Sequence, residues 1–233
     1  MKMISSLLAV LLWLLAAPVF AAPPTYIHAV YDVYKSGIKI GTMEENFTRD
    51  GERYTLRSVT TPIGILALFK PEKVIVTSTG KVTGQGLRPE KTSHRRDVDN
   101  HKNSDAEFDW THQTLTLTHQ GQRKQLPLRE GTQDRLSAMY QFLFLTSDAR
   151  TTAFPLTDGT KVSDYHYAIT PGPLLETPAG SFHTRYLDDQ AKSGERHNEI
   201  WLANELHSLP CKMIITEPDG STMAQVLGTL EMR

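Results

Sequence analysis

The chain has 233 residues, 25 Lys plus Arg against 26 Asp plus Glu, and a formal net charge of -1 at neutral pH. This balance excludes a general polyanion binder, so nucleic acid is not an expected partner. A single cysteine, Cys211, excludes an internal disulfide framework, and stability must come from core packing and strand pairing.

Lys2 precedes an apolar run from Ile4 to Leu15 interrupted only by Ser5 and Ser6, and Val19-Phe20-Ala21 has small residues where a signal peptidase reads. The run is shorter than the roughly 18 to 20 residues of a membrane span, and Pro18 ends it. Residues 1–21 are therefore expected to be a cleaved export signal with no transmembrane anchor, and 22–233 a single mainly-β domain. Cys211 lies far from the expected cleavage point, so no lipid anchor is expected either.

Short alternating segments follow. Ile27, Ala29, Tyr31 and Val33 share one face, Ser36-Gly37 turns the chain, and Ile38 and Ile40 begin the return. Asp50-Gly51 offers a hairpin turn into Tyr54, Leu56 and Ser58, because glycine accepts the positive φ such turns need. Strands are predicted over 74–79, 87–95, 106–110 and 114–118, with Gln120-Gly121 as a turn. They resume over 165–169, 182–187, 199–203, 212–216 and 224–232. In the last of these, Ala224, Val226, Gly228, Leu230 and Met232 fall on one face, while Thr170-Pro171-Gly172-Pro173 reads as a turn. One helix is predicted from Thr132, as N-cap, to about Ser147, since Leu136, Met139, Tyr140, Leu143 and Phe144 form one stripe. The expected fold is a strongly curved antiparallel sheet or incomplete β-barrel, a meander, with this amphipathic helix covering or plugging it.

Chemical motifs are sparse. His112 and His119, like His94 and His101, are seven residues apart, which puts each pair on opposite faces of a strand, and no metal or cofactor is expected. Glu44-Glu45 and Asp188-Asp189 are adjacent, so on strands their carboxylates diverge. Cys211 enters a strand after Pro210 and reads as a packed thiol. Catalytic residues are not predicted. Two features carry the binding expectation. The run from Pro62 to Pro71, with Ile63, Ile65, Leu66, Leu68 and Phe69, is either buried core or an apolar flap at a barrel mouth. His94, Arg95 and Arg96 form either a solvated strand end or a site for a phosphate or carboxylate headgroup.

Gly84-Gln85-Gly86-Leu87-Arg88-Pro89, Gly131 through Ser137, Thr177 through Phe182, and Ile200-Trp201-Leu202-Ala203 followed by Leu209-Pro210 resemble a bacterial envelope family known as domain of unknown function 3108. The resemblance implies an exported Gram-negative protein of mainly antiparallel β structure, hence periplasmic, with no established activity to carry over. The expected function is non-catalytic binding or carriage of a lipid or other amphipathic small molecule. The alternatives are an envelope-assembly scaffold that binds another protein and a hydrolase with a dispersed site. Cleavage after Ala21 is the first testable consequence: N-terminal sequencing of the exported protein should begin at Ala22, and an uncut N-terminus held in the membrane fraction would contradict it.

Overall fold

Period-two alternation leaves one apolar face per strand, and a long meander buries that face by curling around it. The computed structural model describes residues 23–69 and 71–233, so the expected export signal lies outside the described residues. Fifteen strands in the described chain form one sheet. They are β1 (Tyr26–Lys35), β2 (Ile38–Asp50), β3 (Arg53–Pro62), β4 (Val74–Thr83), β5 (Gly86–Arg96), β6 (Ser104–Asp109), β7 (Thr114–His119), β8 (Gln122–Pro127), β9 (Gln133–Asp134), β10 (Thr151–Thr157), β11 (Val162–Thr177), β12 (Gly180–Asp188), β13 (His197–Ala203), β14 (Leu209–Thr216) and β15 (Thr222–Met232). Each strand pairs antiparallel with its sequence neighbour through the two arms β1–β8 and β10–β15. Pairing of β1 with β15 joins the arms at mid-sheet. β8 and β9 form the two ends, and β9 is parallel to β10.

The sheet curls until its arms meet. Val162, at the start of β11, packs on the cluster of Phe108, Leu115 and Leu117, and a Cβ on Gly159 would collide with the Ser104 side chain. Within the curl lies α2 (Arg135–Gln141), followed by a 3₁₀ turn, Phe142–Phe144. A second helix, α1 (Gly64–Phe69), bridges β3 and β4. Tyr140 and Phe142 are fully buried, and Phe47 stacks on Tyr140 at 5.5 Å between ring centroids and on Tyr54 at 6.5 Å. This aromatic column couples the helix to β2 and β3.

Three local expectations are corrected. The helix starts two residues late because Thr132 donates its hydroxyl to the Arg129 carbonyl and Gln133–Asp134 pair with β10. Asp134 is the true N-cap, accepting the Leu136 and Ser137 N–H groups at 2.9 Å each, while its own N–H donates to Ser137 Oγ at 3.0 Å. Thr170–Pro173 is a bulge inside β11 and not a turn: the register breaks between Pro171 and Leu174, where prolines cannot donate to the ladder. In β15 the inward face changes at Gly228, which is skipped as Val30 pairs with Thr229 and Tyr31 with Leu227. Leu227 and Leu230 therefore face the core, and Val226 does not. Leu143 is buried beside Tyr140, so Leu143→Ala should cost about 2 to 5 kcal/mol in urea unfolding. A loss under about 0.5 kcal/mol would contradict this packing.

Candidate functional site

The turn between β4 and β5 works as a clamp on the helix. Gly86 has φ +109°, and a Cβ there would strike the Gln141 side chain, so glycine lets α2 approach the hairpin backbone. Gln141 Oε1 accepts the Leu87 N–H at 2.7 Å, and its Nε2 donates to the Gln85 carbonyl at 2.8 Å. Gln133 Nε2 donates to the Leu87 carbonyl at 2.9 Å. The next residue, Arg88, lays its guanidinium 4.7 Å from the centroid of the Trp110 ring. Trp110 is oriented by donating Nε1–H to the Pro89 carbonyl at 2.6 Å and by stacking on Phe108 at 6.2 Å.

Arg88 and Trp110 thereby divide two adjoining clefts. One, of about 550 Å³, is lined by Lys81, Glu90, Lys91 and Glu107. The other, of about 220 Å³, is lined by Leu87, Gln133 and Phe154. The second brings β5, the turn after β6 and β10 together, so it lies at the seam where the two arms of the sheet approach. The charges around the two clefts are unequally balanced. Glu90 is held by Arg53 at 3.3 Å and Lys81 at 3.9 Å, and Glu107 by Arg123 at 3.5 Å and Lys91 at 3.7 Å. Arg88 has no carboxylate partner among the described residues; its Nε and the Gln133 Oε1 are buried without a hydrogen bond. Each such atom costs about 1 to 3 kcal/mol when nothing satisfies it, which sets this seam apart from ordinary packing.

The interior acids serve another purpose. Burial pushes the Glu45 carboxyl up to about 7, against the hydrogen bonds from Tyr140 and Ser58; Tyr140 donates at 3.1 Å. Burial also raises Asp134, opposed by Ser78, which donates at 2.5 Å. The cavity beside Glu45 measures only about 20 Å³, because Tyr31, Met139 and Tyr140 fill the space. Cys211 is buried, its thiol pushed up to about 12 by burial, so it is no thiolate nucleophile.

The residues singled out from sequence lie elsewhere. Ile63 and Leu66 are half-buried, whereas Leu68 and Phe69 are each 81% exposed on α1, so the run is not the continuous core it resembles; Ile65 belongs to the same helix. Arg96 pairs with Glu72, and Arg95 with Asp105 at 2.6 Å, which neutralises both cations. His94 is lowered by burial, with Arg96 adding to the effect. Val74 pairs with Arg96, placing this trio near α1, while Thr83 pairs with Gly86 at the other end of β4, roughly 30 Å away. Arg88, Trp110, Gln133 and Gln141 were not singled out, although all but Trp110 and Gln141 belong to the quoted motifs. Asp188 and Asp189 also depart from expectation. The strand ends at Asp188, so both carboxylates turn to His197 Nε2, at 2.9 and 3.7 Å.

A family model described as "Protein of unknown function (DUF3108)" matches residues 30–226. The chain belongs to this family. No curated protein matches it. Among solved structures, a protein described as beta-barrel-like, of domain of unknown function DUF1849 from Brucella abortus, is similar over 91% of this chain and 99% of that one, with a TM-score of 0.55 and 14% identity. That likeness is one of fold, and it agrees with the curled sheet of this DUF3108 member.

The shift of Glu45 fixes a pH dependence. Its folded value of about 7 lies above the ordinary 4.5, so its stabilising share is complete below pH 4.5 and is lost as pH rises through 7. The full loss is about 3 kcal/mol. Glu45→Gln should remove this slope, gaining on the wild type in urea unfolding between pH 5 and 8; parallel profiles for the two proteins would contradict it.

Proposed function

We propose that this DUF3108 protein is an exported, non-catalytic binding protein of the cell envelope that takes an amphipathic ligand in the cleft around Arg88 and Trp110. The observation that carries the reading is an arginine without a carboxylate partner, stacked on an aromatic face at a seam with unsatisfied buried polar atoms. An anionic head would meet Arg88, and an apolar body would lie on Trp110 and Phe154. The packed interior supports a ligand held at the seam in preference to one carried in a lumen. Export rests on residues 1–21. The exposed Leu68 and Phe69 favour a second reading, an envelope protein docking on α1.

Laurate titrated into the processed protein should change tryptophan fluorescence saturably, and Trp110→Phe should abolish the signal, leaving Trp201 as internal reference. Arg88→Ala should weaken binding about tenfold or more, the scale of a charge-assisted hydrogen bond. Phe69→Asp should leave laurate binding intact because the side chain is exposed. Identical laurate responses in the wild type and Arg88→Ala would sink the cleft assignment.

A further inference from the structure

Another cavity, sharing no lining residue with the Arg88 clefts, opens where the β11 bulge meets the turn after β13. It measures about 380 Å³, within the range of small-molecule sites. Its construction is unusual. Thr184 donates to the Pro173 carbonyl at 2.7 Å and holds the bulge open, so that Pro171 lines one wall. Opposite, His207 and Ser208 adopt φ 51° and 66°, a left-handed conformation that side chains other than glycine adopt at a cost. That backbone delivers the Ser208 hydroxyl to Arg185, whose Nη2 donates to it at 2.6 Å while Nη1 donates to the Thr146 carbonyl at 2.7 Å.

Two arginines, Arg150 and Arg185, line this cavity together, and no Asp or Glu does. Neither pairs with a carboxylate among the described residues, although Arg95, Arg96, Arg129 and Arg135 all do. Arg185 Nε is buried without a partner, and burial alone lowers the pKa of this guanidinium, no carboxylate opposing it. A half-buried Arg185 guanidinium without a carboxylate partner, joined by the exposed Arg150 and beside hydroxyls, is the composition of an oxyanion site. The two cations match the charge of about -1.5 to -2 on a phosphomonoester at neutral pH. Leu145, Ile169 and Pro171 give its organic portion an apolar wall.

We infer that the Arg150–Arg185 pocket binds the phosphoryl group of a small organic phosphate, independently of the Arg88 cleft. Calorimetric titration of the processed protein tests this with phenyl phosphate, inorganic phosphate and phosphatidylglycerol vesicles as separate probes. Phenyl phosphate should bind at one site and more tightly than inorganic phosphate. Arg150→Ala and Arg185→Lys should each weaken it about tenfold or more, the loss of one charge-assisted contact, while Arg150→Ala leaves the Trp110 fluorescence response to laurate unchanged. Arg185 also bridges Thr146 and Ser208, so its replacement can disturb the fold; Arg150 makes no side-chain hydrogen bond among the described residues, and its variant reads the site without that complication. Equal phenyl phosphate affinity in the wild type and Arg150→Ala would overturn the assignment, as would binding to vesicles alone.

Discussion

The carboxylate of Asp134, buried and bonded to two helix N–H groups and to the Ser78 hydroxyl, fixes both where α2 begins and which strand it is tied to. Much of the architecture follows from that anchorage. The β9 pairing brings the chain alongside β10, Asp134 then starts the helix beneath β4, and less than two turns later Tyr140 reaches Glu45 on β2. The following residue, Gln141, closes on the β4–β5 hairpin. An apolar residue at position 134 would leave the first helix N–H groups without acceptors in a dry interior, a defect that packing elsewhere does not repair.

The buried acids and the surface arginines illustrate opposite uses of charge. Glu45 and Asp134 are stabilised by hydroxyl and N–H donors, and both carboxyls are raised because burial outweighs those bonds. They act as polar fasteners in a largely apolar core, with no space beside Glu45 for a substrate. Arg88, Arg150 and Arg185 remain without carboxylates although the chain carries slightly more acids than bases. Their isolation is local: neighbouring acids such as Glu90 and Glu107 are already held by Lys and other Arg residues.

The legibility of this fold in sequence depended on whether a signal was local. Ile27, Ala29, Tyr31 and Val33 alternate and are all buried, because the period of a strand is written into consecutive residues. Gly228 misled for the same reason, since a bulge changes the parity without leaving a mark in the alternation on either side. The edge strand β8 was missed because it is polar and exposed, with Leu126 its one partly buried apolar side chain. The helix stripe was readable, but its N-cap was not: Thr132 and Asp134 are both good caps, and only the pairing of β9 with β10 selects between them. The Arg88 cleft was least legible, because it joins residues from β5, the turn after β6, and α2, segments far apart in sequence. Its trace lay in the quoted glycine-rich motifs, whose glycines mark close backbone approach.

An incomplete barrel explains why the cleft lies where it does. A closed barrel pairs the two end strands of its sheet and leaves no edge, whereas here β1 and β15 pair at mid-sheet and the end strands, β8 and β9, do not pair with each other. The two arms then approach without a hydrogen-bonded ladder, touching through Val162 and Gly159. Side chains must cover what backbone pairing does not. Gln133 and Gln141 do so at the hairpin, bonding carbonyl and N–H groups that have no strand opposite them. Beyond their reach the closure is left to Arg88 and Trp110, long side chains that cover a gap by stacking and leave donors unsatisfied. A ligand at that seam would complete a wall the sheet leaves open, so the same lack of closure that costs hydrogen bonds also leaves a chemically mixed cleft.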